Sequence, residues 1–152
     1  MSEKTLQEGL RTDIRTMSEF ANEDVVINDW EVLDQPTERG PYVIIENSNE
    51  FAWRQDTSAK NSQWSIAITL AEPFVTDWQT TLNNFRDSRQ ALRDKFIGAT
   101  LSASGLAGVT IDLVRNEGNA EPYGPIERDE LGELIIIPHF WVQRIVLEGE
   151  EF

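Results

Sequence analysis

Residues 63–98, QWSIAITLAEPFVTDWQTTLNNFRDSRQALRDKFIG, constrain this chain more than any other stretch. They read as one strand, a short hinge and one long helix. Trp64, Ile66, Ile68 and Leu70 alternate with Ser65, Ala67 and Thr69, the period of two expected of a half-buried strand. Trp78, Leu82, Phe85, Leu92 and Phe96 then recur at helical spacing and form an apolar stripe. Thr76, three residues before Gln79, predicts a capping-box start, and Gly98 a stop. No other segment offers as much continuous apolar surface, so the remaining elements are expected to pack around this unit.

Before it, Leu6, Leu10, Ile14 and Met17 predict an amphipathic helix over 3–20, with a Thr5–Glu8 capping pattern and a weakening Gly9. VVINDWEVL (25–33) reads as a strand whose phase slips near Asn28–Asp29, as a bulge would cause. A breaker-rich turn (34–41) leads into PYVIIENSNEFAWRQ (41–55). The latter pairs with 64–70 in a hairpin whose far part, about 46–63, is expected to project. Phe51 and Trp53 on that projection are either a satellite core or a contact surface for another chain. After the helix come a small-residue loop (98–108), a strand (109–115), a long acidic loop (116–133) and a final strand (134–152) interrupted by Pro138. The expectation is a single α+β domain over 1–152, in the order α-β-β-β-α-β-β. Its sheet is largely antiparallel or mixed, of four to five strands, with both helices on one face.

At 152 residues such a domain buries roughly two-thirds of the surface its unfolded chain exposes. No signal-peptide pattern or membrane-length apolar run is visible, which predicts a chain that acts or assembles inside a cell. The absence of cysteine excludes disulfides, thiolate metal sites and cysteine nucleophiles. The net charge of −14 is concentrated in three segments: 19–34 carries −6, 117–133 carries −5 and 148–151 carries −3. The long helix is mildly basic through Arg86, Arg89, Arg93 and Lys95. A surface of this sign repels phosphate backbones and disfavours direct nucleic-acid binding.

Catalytic patterns are missing from the sequence. His139, the single histidine, lies between Pro138 and Phe140 with no nucleophile–base pattern, and one histidine without cysteine makes a poor zinc site. Glu127, Asp129, Glu130 and Glu133 cluster without the ligand alternation of a calcium loop and read as solvated. Gly98, Gly105 and Gly108 match neither a phosphate loop nor a dinucleotide fingerprint, and Ser102 and Ser104 sit in no nucleophile elbow. Arg86, Arg89 and Arg93 read as a solvated face suited to the helix dipole in preference to a phosphate site. No catalytic, cofactor-binding or metal residue is assigned.

The layout resembles that of the tail terminator (tail completion) proteins of long-tailed bacteriophages. The match is architectural: the helix at 3–20, the hairpin of PYVIIENSNEFAW with QWSIAITLAEPF, a helix beginning DWQTTL, the strand GVTIDLVR, the acidic segment and IIIPHFWVQRIVLEG. It spans nearly the whole chain without a diagnostic motif, and other phage neck proteins share the outline. The resemblance implies a non-enzymatic virion protein of the tail–neck region, assembled in the host cytoplasm. Such a protein forms a hexameric ring that caps the tail tube, ends its polymerisation and meets the head-completion or connector protein. DNA would pass without specific binding, and no membrane is involved. Glu117, Glu121, Glu127, Asp129, Glu130 and Glu133 are then candidates for the lumen. Phe51, Trp53, Arg86, Arg89 and Arg93 are candidates for subunit or partner contacts. Two other classes stay open: an acidic adaptor that binds a basic partner, and a small hydrolase with unidentified carboxylates.

Overall fold

The computed structural model describes residues 3–34, 40–47, 54–55, 62–74, 77–101, 109–124, 126–136 and 139–151. The fold is α+β. Among these residues, two α-helices, α1 (Glu3–Arg15) and α2 (Trp78–Phe96), accompany eight strands: β1 (Val25–Ile27), β2 (Tyr42–Ile45), β3 (Arg54–Gln55), β4 (Ser62–Pro73), β5 (Val109–Tyr123), β6 (Ile126–Arg128), β7 (Leu134–Ile136) and β8 (Phe140–Glu151). The main sheet runs β1-β2-β4-β8-β5, with β3 added to β4, while β6 and β7 form a separate hairpin. β1 and β2 are parallel and the other pairs antiparallel, which makes the sheet mixed.

β4 realises the alternation in its sequence. Trp64, Ile66, Ile68 and Leu70 share one core with Val43 and Ile45 of β2, Ile145 and Leu147 of β8, Leu6, Leu10 and Ile14 of α1, and Phe85, Leu92 and Phe96 of α2. Both helices therefore cover the same sheet face. Each of these large side chains contributes roughly 1.5–3 kcal/mol by leaving water. The opposite face carries a smaller core of Val32, Leu33, Tyr42, Ile44, Ala71 and Phe140. Gly149 of β8 lets the Trp64 ring lie against the backbone: a Cβ there would stand 2.0 Å from the Thr110 carbonyl oxygen and 2.6 Å from the ring.

The boundaries depart from the sequence expectations in five places. α1 ends at Arg15, not residue 20, and Thr5 lies inside it. There the Thr16 hydroxyl bonds the Asp13 carbonyl at 2.6 Å and the Arg15 guanidinium reaches the Val25 carbonyl at 2.9 Å. The strand expected over 25–33 stops at Ile27, and the slip at Asn28 is a strand end instead of a bulge. Asn28 takes a positive φ of 56°, which a short polar side chain tolerates, and its Oδ1 accepts the Asn47 amide at 3.1 Å. A 3-10 helix, Trp30–Asp34, follows.

The cap of α2 is Asp77, whose carboxylate accepts the Thr80 amide at 2.8 Å and hydroxyl at 2.9 Å. Thr76 is outside the described residues. Trp78 does not join the buried stripe: it is 48% exposed and packs at the helix end against Phe74 and Trp141, with ring centroids 4.9 and 4.7 Å away.

The segment 116–133, expected as a loop, is largely strand and hairpin. β5 continues to Tyr123 by skipping the ladder between Glu117 and Glu121, and β6 and β7 follow. Gly118, at φ 69°, supplies the left-handed turn of that bulge. Finally, the expected strand 134–152 divides into β7 and β8. His139 is exposed between them, its amide bonded to the Tyr123 carbonyl at 2.8 Å.

Candidate functional site

The face of the sheet opposite α1 and α2 holds a groove enclosing about 370 Å³. Its floor is Thr69 of β4 and Val142 of β8. One wall is the 3-10 helix with Trp30 and Leu33, and the other is the bulged part of β5 with Glu117, Glu121 and Tyr123. The groove exists because two strands change direction. Asn28 turns the chain out of β1 and brings Trp30 over the sheet, where it stays 43% exposed. The bulge in β5 moves Gly118–Ala120 out of the ladder and leaves Tyr123 52% exposed at the far end.

Arg144 of β8 is central to the groove. Its Nε donates to Glu46 Oε2 at 2.8 Å and its Nη1 to Glu117 Oε1 at 3.0 Å. The hydrogen bond donated to Glu46, followed by the two carboxylate charges, holds the guanidinium pKa above its usual value against the opposing effect of burial. One cation against two carboxylates leaves this triad net negative, and exposed Glu121 adds to it. Behind it, on the helix side, buried Gln143 ties the bulge down. Its Nε2 donates to the carbonyls of Glu117 and Gly118 at 3.0 and 3.1 Å.

The residues singled out from the sequence are dispersed. Phe51 and Trp53 lie outside the described residues. Arg86 is exposed and Arg93 half-buried on α2. Arg89 is turned inward, over the Phe85 ring at 5.3 Å and donating to Gln143 Oε1 at 3.3 Å. Burial, then repulsion from Arg86 and Arg93, lowers its pKa. Of the acids, Glu117 and Glu121 line the groove. Glu127, Asp129, Glu130 and Glu133 belong to the β6–β7 hairpin instead. Asp129 organises its turn by accepting the amides of Leu131 and Glu133 at 2.9 and 2.8 Å, so its role there is structural. Leu131 stands 87% exposed at that tip.

Sequence reasoning missed Trp30, Tyr123 and Arg144 as a group, because they are far apart in sequence and each read as an ordinary strand or loop residue. Among the described residues no group of three or more acidic or histidine side chains could hold a metal ion. No described helix is long and apolar enough to cross a membrane.

No family model matches the chain, and no curated protein matches it in sequence. Among solved structures, it is similar to a chain of the virion of a native gene transfer agent (GTA) particle. The TM-score is 0.51 at 15% identity, over 96% of this chain and 92% of that one. At that identity the likeness is one of fold, and it extends over nearly the whole of both chains.

Proposed function

We propose that this chain is a structural virion protein of a phage-like particle, a tail terminator that forms a ring on the tail tube. In this reading it ends tube polymerisation and presents the surface that meets the head-completion or connector protein. The observation that carries the proposal is the likeness of fold, over almost its full length, to a chain of a virion particle. The acidic balance supports it, since a ring through which DNA passes must not grip phosphates. Within the ring, Arg86 and Arg93 on α2 are the proposed contacts to an acidic segment of the neighbouring subunit. Glu127, Glu130 and Glu133 on the β6–β7 hairpin are proposed to face the lumen. The same likeness accommodates another neck or head–tail completion protein, which would also assemble but would leave tube length unchanged.

Sedimentation velocity of the purified chain, alone and with tail-tube protein, tests the reading. A closed oligomer that shortens or caps tubes in electron micrographs is the expected result. A strict monomer at every concentration, with tubes unaffected, would overturn it. Charge reversal at Arg86 and Arg93 should reduce oligomer size.

A further inference from the structure

The groove on the face opposite α1 and α2 combines three features that together select one kind of occupant. Its floor is apolar or neutral through Val142 and Thr69, so it favours an aliphatic side chain. Its walls carry two exposed aromatic rings, Trp30 and Tyr123. Its rim is acidic: Arg144 is already held by both Glu46 and Glu117, and Glu121 is exposed.

We propose that this groove is a docking site for an extended segment of a partner protein in which arginine or lysine alternates with aliphatic residues. An aliphatic side chain would lie on Val142. The flanking cations would meet Glu121 and the outer carboxylate oxygens of the Arg144 triad, and a guanidinium would stack on Trp30 or Tyr123. An acidic segment is rejected by the rim. A second copy meeting this one groove to groove is a poor occupant, because two acidic rims would be brought together. Arg144 is a positioning residue here: it spaces Glu46 and Glu117 across the groove and prevents their mutual repulsion. The inference stands whether or not the chain forms a ring.

The test uses the full chain and three peptide probes, followed by tryptophan fluorescence and calorimetry. One is an octapeptide alternating arginine with leucine or valine. The second has glutamate in place of arginine, and the third is a tetralysine peptide. The arginine–leucine peptide should bind and the other two should bind at least about tenfold more weakly, as expected where charge and apolar contact act together. Trp30→Ala and Glu121→Lys should each weaken binding about tenfold. Both side chains are exposed, so circular dichroism and melting temperature should stay at the parent values. Asn84→Ala, exposed on α2 on the opposite side of the sheet, should bind as the parent does.

Equal binding of tetralysine would reduce the site to unspecific charge attraction and overturn the proposal. Unchanged binding by both groove variants, or no binding of the arginine–leucine peptide, would also overturn it. So would self-association of the parent that Trp30→Ala abolishes, because a second copy would then be the occupant.

Discussion

Glu72 gives the most direct test of the packing between α2 and the sheet. It stands on the helix face of β4, only 6% exposed, and its Oε2 accepts a long hydrogen bond of 3.5 Å from the Ser88 hydroxyl. Burial raises its pKa from 4.5 to about 7, and the Ser88 bond opposes the rise only in part. Below pH 4.5 the carboxyl is protonated in both folded and unfolded chains and costs nothing. Between pH 4.5 and 7 the folded chain keeps a proton that the unfolded chain has released, so stability falls as pH rises. The loss is complete above pH 7. At about 1.4 kcal/mol for each tenfold separation of the two equilibria, its ceiling is about 3.5 kcal/mol, and solvent screening and local relaxation lower it to about 2 kcal/mol.

Glu72→Gln keeps the shape and an acceptor for Ser88 but cannot ionise. Thermal unfolding followed by tryptophan fluorescence should give matching stabilities at pH 5 to within about 0.5 kcal/mol. At pH 8.5 the variant should melt about 5–8 °C higher, as about 2 kcal/mol implies for a domain of this size. General repulsion within an acidic chain also grows with pH, but it is common to both proteins and cancels in the difference. A difference that is the same at pH 5 and 8.5 would refute the reasoning, because Glu72 would then bind no extra proton on folding.

Two further substitutions probe the fold. Gly149→Ala places a methyl group into the Thr110 carbonyl and the Trp64 ring. It should cost about 2–3 kcal/mol in urea unfolding, and Trp64→Leu in the same chain should recover part of the loss. Asp77→Ala removes the carboxylate that accepts the Thr80 amide and should lower the urea midpoint, whereas Asp77→Asn should lower it much less.

The parts of the fold legible in the sequence are those with a strong period. β4 and α2 could be read because their apolar residues face one core, and the period of two or 3.6 is then imposed by burial. β5 beyond Arg115 could not. Its residues there lie on an edge strand with a bulge, and Gly118, Asn119 and Pro122 are residues that composition assigns to loops. The register of β8, not propensity, keeps this stretch extended. The cap of α2 lies one residue after the Thr76 that the sequence pattern marks, because the Asp77 carboxylate accepts both the amide and the hydroxyl of Thr80. The groove was invisible for a different reason. Trp30, Tyr123 and Arg144 become neighbours only through strand order, which no local pattern encodes.

The placement of β8 bears on how the molecule is made. This strand follows the other strands of the sheet in sequence, yet it occupies an interior position, with β4 along one edge and β5 along the other. Until it emerges, those two strands share no ladder, and each presents an open edge of the kind that captures other chains. The contacts that close the sheet join residues far apart in sequence, a topology that folds slowly. Val142 and Arg144 both belong to β8, so the groove does not exist on the nascent chain. Emergence of the final strand is thus a checkpoint, at which the sheet closes and the surface for a partner appears together.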